Sequence, residues 1–247
     1  MSDALSAETI TITAGNGDEI EAYAARSLDD APRGGVVVIH HMPGYDEPTK
    51  EIARRFAAHG YNAVVPNLYS RQAPGAAPDD AYATVRAQGG VPDEQLVHDV
   101  AGAMSYLKSL PNSNGKVATI GYCSGGRQSF LAGVSLDLDA AVDCYGAFVS
   151  GTIPEGLPLK VTTLVDRTWQ LSCPLLGLFG EQDTHPGPAE VAELEEALQE
   201  AGKTYEFHSY PAAGHGFFSV NRQSYSVEAA ADGWERIFAF FGKYLSA

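Results

Sequence analysis

A thiol at Cys123, a carboxylate at Asp183 and an imidazole at His215 are the residue types that covalent acyl chemistry requires, and they occur in that chain order. Cys123 lies in Gly121-Tyr122-Cys123-Ser124-Gly125-Gly126, with glycine two residues to either side. That spacing marks a sharp strand-to-helix turn that exposes a nucleophile in strained φ/ψ, because strand and helix can pass each other there only if those two positions are small. Assigning the role to Ser124 instead would put Tyr122 at one of the small positions, so the thiol is the reading. The thiol needs a base to take its proton, and the base needs a carboxylate to fix its tautomer and stabilise its positive form. Gly180-Glu181-Gln182-Asp183 and Ala213-Gly214-His215-Gly216-Phe217 supply the two. A buried structural cysteine in a glycine-rich turn is the plainer alternative for Cys123 taken alone; it does not account for three matches in order.

A tetrahedral oxyanion formed at Cys123 needs two N–H donors, expected from the backbone of Ser124 and of Met42; Pro43 carries no N–H and cannot serve. His40 and His41 are adjacent at the end of an apolar run, where successive side chains point to opposite faces, and no third ligand follows nearby in sequence. No metal is expected there, and one of the two histidines is expected to face the site. His185 reads as an exposed loop histidine, Cys144 and Cys173 as core fillers. Tyr82, Tyr145, Phe217 and Phe218 are candidate walls of an apolar pocket or, equally, core aromatics.

The elements that must position these groups follow from periodicity. Segments Glu8–Thr13 and Glu19–Ala24 alternate and flank the turn Gly15-Asn16-Gly17-Asp18, predicting an antiparallel hairpin at one edge. Gly35–His40 and Tyr61–Pro66 are continuous β-branched runs of the kind that are covered on both faces of a sheet. Further strands are expected at Lys116–Ile120, Ala140–Tyr145, Pro174–Phe179 and Thr204–Tyr210. Helices are expected over Glu47–Gly60, Asp93–Leu110, from Arg127 onward, over Pro188–Gly202 and over Ser224–Tyr244. Asn67–Pro92, rich in Ala, Pro, Gly and Gln, reads as an irregular excursion with one short helix near Ala81–Ala87. Alternating strands and helices imply an α/β fold, mainly a parallel sheet with an antiparallel N-terminal edge and helices on both faces. Asp183 and His215 then fall on loops at the C-terminal ends of strands, the edge where such sheets bind ligands.

The 247 residues, 45% hydrophobic, are read as a single domain over 1–247. The formal charge of −15, from 16 basic and 31 acidic residues, argues against nucleic acid or an anionic membrane surface as partner. No apolar run reaches bilayer length, the N-terminus shows no export signal, and three cysteines at unrelated spacings make no disulfide framework, so a reducing cytoplasm is expected. The charge is compatible with a monomer or a homodimer.

Nucleophile, acid, histidine is the order found in α/β-hydrolases. Together with Gly60-Tyr61-Asn62-Ala63-Val64-Val65-Pro66-Asn67-Leu68-Tyr69, Arg71-Gln72-Ala73-Pro74-Gly75 and Asn114-Gly115-Lys116-Val117, the chain resembles the dienelactone hydrolase family over nearly its whole length. The resemblance implies an α/β-hydrolase fold and cofactor-free hydrolysis of a small-molecule lactone or enol ester through an acyl-enzyme on Cys123, usually in aromatic-compound breakdown. Two departures stand out. Family members carry a glutamate that holds the resting thiol; matching on Gly44 puts His41 there, and Cys123 is therefore expected as a partial thiolate beside His215, tuned by His41. They also grip a substrate carboxylate with an arginine four residues past the catalytic histidine, which here is Ser219; Arg222 is the nearest arginine, and Arg86 matches a second carboxylate-binding arginine. A non-catalytic small-molecule sensor on the same fold, and a thioesterase or acyltransferase using the same three residues, are the competing readings.

Overall fold

Leu5–Thr13 (β1) and Glu19–Ser27 (β2) pair antiparallel through the Ala14–Asp18 turn and form the edge of an eight-stranded sheet. The computed structural model describes residues 5–246. The remaining strands are Arg33–Ile39 (β3), Asn62–Pro66 (β4), Ser113–Tyr122 (β5), Ala140–Cys144 (β6), Leu175–Gly180 (β7) and Tyr205–Tyr210 (β8), in the spatial order β1-β2-β4-β3-β5-β6-β7-β8. β2 meets β4 antiparallel; from β4 to β8 every pairing is parallel. The helices are Glu47–Ala58 (α1), Pro78–Ala87 (α2), Asp93–Ser109 (α3), Ser124–Gly133 (α4), Pro188–Glu200 (α5) and Val227–Leu245 (α6). The α/β architecture expected from the sequence is the one found.

Period-two alternation along β3 divides the core between the two faces of the sheet. Val36 and Val38 point into a cluster with Ala53 and Phe56 of α1 and Ile237, Phe240 and Phe241 of α6, whereas Val37 and Ile39 join Leu96, Val100 and Leu107 of α3 and Phe130 of α4. All of these are essentially inaccessible to solvent; deleting one such aromatic, Phe56 for example, costs about 3–5 kcal/mol. Helix ends carry local instructions: Asp46 caps α1 by accepting from the Thr49 N–H and hydroxyl (3.0 and 2.7 Å), and Ser226 caps α6, whose start is therefore Val227 rather than Ser224.

The excursion at 67–92 contains a ten-residue helix, α2, that begins at Pro78, earlier than the sequence implies, because proline at the first helical position and Asp79 and Asp80 in the first turn favour an early start. The long connection after β6 holds one 3₁₀ segment, Val165–Gln170. No helix among the described residues is long and apolar enough to cross a membrane.

Candidate active site

The parallel strands all end at one edge, and Cys123, Asp183 and His215 lie on the loops there. Cys123, between the end of β5 and the start of α4, adopts φ 57°, ψ −123°, the strained backbone that its flanking glycines foretell. A methyl group on Gly121 would overlap the Gly125 carbonyl, and one on Gly125 would meet the carbonyl of Ile39 on β3. The turn is closed by Cys123 N–H donating to the Cys144 carbonyl (3.0 Å) and by Gly126 N–H donating to the Cys123 carbonyl (2.9 Å).

Asp183 and His215 are brought together by the backbone of their loops. Gln182 N–H donates to the Ala213 carbonyl (2.9 Å) and Glu181 N–H to that of Tyr210 (3.0 Å), locking the loop after β7 to the loop after β8. Gly180 is required for this approach, since a side chain there would strike the Ala213 carbonyl. The buried Asp183 carboxylate accepts from His215 Nδ1 at 2.7 Å with one oxygen and from the His185 backbone N–H at 3.0 Å with the other. The second contact fixes the carboxylate plane, and the first fixes the imidazole tautomer with Nε2 free to act. Burial by itself would lower the His215 pKa, but the Asp183 carboxylate and the Cys123 side chain outweigh it and lift it to about 10.

Two cavities meet at Cys123. The larger, about 870 Å³, is lined by Cys123, His215, Tyr145 and His41, and by an apolar wall that includes Phe218, Trp234 and Phe238. The smaller, about 100 Å³, is lined by Cys123, Ser124 and Met42 with Leu68, Tyr69, Val91, Phe148, Leu159 and Val161. The two proposed oxyanion donors thus face the small cavity and the base faces the large one. Met42 N–H already has a partner: it donates to the Ser124 hydroxyl at 3.1 Å.

Both neighbouring histidines border the site, on opposite sides, where the sequence led us to expect one. His40 lines the small cavity; its Nε2 accepts from Leu68 N–H (3.2 Å), so Nδ1 carries the hydrogen and meets the His41 carbonyl (3.0 Å). Burial pushes His40 down to about 4, leaving it a neutral strut between the loop after β3 and the chain after β4. His41 lines the large cavity 3.9 Å from Asp46. Burial lowers its pKa, Asp46 opposes this and Arg222 reinforces it, with a net fall. His41 is therefore mainly neutral near pH 7 and stands as a wall residue of the large cavity.

Three further pocket expectations are corrected. Phe217 is fully buried among Tyr145, Tyr210 and Phe218 and borders neither cavity, because residues 217 and 218 turn to different sides and only Phe218 faces the opening. Tyr82 and Arg86 sit one turn apart on α2 and bond to each other (3.1 Å); neither lines either cavity. Arg222, by contrast, does line the large one. His185 is half-exposed beside Glu190, while Cys144 and Cys173 are buried and unpaired, as expected for core fillers. Among the described residues no group of three or more His, Cys, Asp or Glu side chains is arranged to hold a metal ion.

The sequence reading missed Arg127. It is buried at the first turn of α4 and grips Asp93 at the start of α3 with both terminal nitrogens (2.8 and 2.9 Å) and the Thr162 carbonyl (2.7 Å). An arginine directly after the double glycine was visible; its partners, 34 and 35 residues away, were not.

The Dienelactone hydrolase family matches residues 20–245. Two relatives named "Putative carboxymethylenebutenolidase" are each 33% identical: one from Methylorubrum extorquens over 91% of this chain and 77% of its own, one from Escherichia coli K12 over 92% and 84%. Among solved structures, one described as a "Putative Dienelactone Hydrolase" from Klebsiella pneumoniae superposes with a TM-score of 0.86 at 32% identity, covering 98% of this chain and all of that one. A dienelactone hydrolase-like promiscuous phosphotriesterase from metagenomic libraries shares the fold, with a TM-score of 0.79 at 18% identity, over 98% of this chain and 100% of its own.

Proposed function

Since the chain belongs to the dienelactone hydrolase family, we propose that it hydrolyses activated carboxylic esters or lactones with Cys123 as nucleophile, His215 as acid and base, and Asp183 as its orienter. The observation that supports this most directly is the left-handed backbone at Cys123 on the strand-to-helix turn, on the same cavity as a histidine anchored by a buried carboxylate. With its pKa raised to about 10, His215 is protonated at neutral pH and can give that proton to the leaving oxygen.

The sulfur attacks the carbonyl carbon, the C–S bond forms, and the carbonyl π electrons move to an oxyanion that the Ser124 and Met42 N–H groups receive. Collapse breaks the C–O bond to the leaving group, and His215 gives that oxygen its proton. Water, deprotonated by the now neutral His215, then attacks the thioester; C–S breaks, the acid departs, and the thiolate is left beside the His215 that took the proton from water. Thiolate is a good leaving group, so the adduct goes forward only when the alkoxide leaves as readily, which favours enol lactones and aryl esters over alkyl esters and amides. The reaction draws on the chain's own groups and water.

Ultraviolet assays of cis- and trans-dienelactone and of an aryl ester, run on the native chain, Cys123→Ala and Cys123→Ser, test this. The expected result is a loss of about a thousandfold or more in kcat for Cys123→Ala with an unchanged circular dichroism spectrum. Full activity in that variant would overturn the mechanism.

A further inference from the structure

Resting on the nucleophile and base proposed above, the two cavities that meet at Cys123 divide the substrate between them. A tetrahedral adduct on the sulfur has three other substituents. The oxyanion turns to the Ser124 and Met42 amides. The leaving oxygen must come within reach of His215, its proton donor. His215 lines only the large cavity, so the group attached to the leaving oxygen extends there, and the acyl chain takes the opposite side, where the small cavity opens.

The sizes of the two spaces then set limits. The small cavity, about 100 Å³, is walled mostly by apolar side chains, with His40, Arg127 and Gln128 among its polar members. An apolar hole of about 150 Å³ admits a benzene ring, so this one takes an acyl chain of roughly four carbons at most. Its roof is fixed. Leu159 and Val161 come from the connection after β6, and Gly90 and Val91 from the link between α2 and α3. These strands of the roof are tied by Lys160 N–H donating to the Gly89 carbonyl (2.7 Å) and by Arg127 bridging Asp93 and Thr162. The large cavity, about 870 Å³, far exceeds what a small lactone ring fills. Its far wall is Trp234, Phe238 and Ile52, and its rim carries the exposed Val220 and Val227. Asp46, Glu51, Asp79 and Glu235 face it together with Arg55 and Arg222, and Arg55 lies over the Trp234 ring at 4.5 Å. Four carboxylates against two guanidiniums give the wall no excess of positive charge, which disfavours an anionic group and leaves the apolar wall to hold a neutral one.

We infer that the natural substrate is an ester of a short apolar acid with a bulky, apolar, aromatic alcohol or phenol.

A two-way ester series tests the assignment. With the alcohol fixed, para-nitrophenyl acetate, butyrate and octanoate vary the acyl chain; with acetate fixed, phenols of matched acidity, phenol and para-phenylphenol, vary the leaving group. Expected is a fall in kcat/KM of roughly a hundredfold from butyrate to octanoate, and a rise of about tenfold from phenyl to phenylphenyl acetate. Leu159→Ala should raise the octanoate-to-acetate ratio at least about tenfold without altering the ratio for the two phenols, and Trp234→Ala should lower the phenol ratio alone. Octanoate hydrolysed as well as acetate, or an acyl ratio indifferent to Leu159→Ala, would overturn the division of the substrate while leaving Cys123 chemistry standing. No turnover of any ester would overturn both readings together.

Discussion

The Ser124 hydroxyl accepts the hydrogen bond from Met42 N–H that the mechanism assigns to the oxyanion. One donor of the pair is therefore oriented but occupied before substrate arrives, and forming the adduct exchanges one acceptor for another. Removing the hydroxyl leaves the backbone N–H of Ser124 in place and frees that of Met42. Ser124→Ala is expected to cost about 1 kcal/mol of stability, the worth of the lost bond, and to raise kcat a few-fold, because the oxyanion no longer displaces a competitor. Urea unfolding and steady-state kinetics on an aryl ester measure the two effects. A tenfold fall in kcat would mean that the hydroxyl itself donates to the oxyanion.

At the scale of elements, α4 does two jobs. Its N-terminus presents Cys123 and Ser124, and three residues further on Arg127 pins the start of α3 and the loop at Thr162 that roof the small cavity. Arg127→Met keeps the apolar stem and loses three charge-assisted bonds. Because Asp93 is partly exposed and can be rehydrated, the expected loss is about 2–3 kcal/mol, below that of a fully buried pair. The same variant should speed amide hydrogen exchange at Lys160, whose bond to Gly89 depends on the roof staying closed. Slow exchange at Lys160 in the variant would show that the roof holds without Arg127. The strands were legible because β3 and β4 are β-branched runs, and the order of Cys123, Asp183 and His215 was legible because each follows a strand. The cavity walls were not. Trp234 and Phe238 belong to a C-terminal helix whose apolar face reads simply as core, and Leu159 and Val161 sit in a connection with no periodicity. Tyr82 and Arg86 were misplaced because the turn of α2 that carries them can be set only by packing, which a sequence pattern does not encode.

Across the whole molecule, charge and buried ionisable groups act together on stability. Asp143, fully buried beneath the start of α4, is raised to about 7 by loss of solvent despite accepting from Gly146 N–H (2.7 Å), and Asp99 is raised to about 6 by burial against the pull of Arg71. For both, the folded state takes up a proton that the unfolded chain, near 3.8, does not; their contribution is fully present below that value and lost as pH rises through about 6 to 7. His215, raised to about 10, likewise contributes below its ordinary value of 6.5 and loses that contribution as pH climbs through 10. Easing the repulsion among an excess of 15 negative charges has the same sign. His40, lowered to about 4, works the other way, its contribution being lost as pH falls from 6.5 through 4. Unfolding free energy should therefore rise as pH drops from 9 and go on rising toward about 5, where the gain from the two aspartates exceeds the loss from His40. Asp143→Asn should be more stable than the native chain at pH 8, with the gap closing toward pH 5; urea titrations at those pH values measure it, and a gap independent of pH would show that Asp143 does not titrate in this range.

The backbone at Cys123 has a stereochemical consequence. Its dihedrals, φ 57° and ψ −123°, are the mirror image of an extended conformation that L-residues adopt freely. A D-cysteine introduced there by chemical ligation would rest at ease on the turn, yet its sulfur would project along the direction now taken by the α-hydrogen and leave His215 without a partner. Handedness at one carbon atom thus sets comfort of the chain against alignment of the reacting groups, and the natural residue is the enantiomer that strains the turn and aims the sulfur.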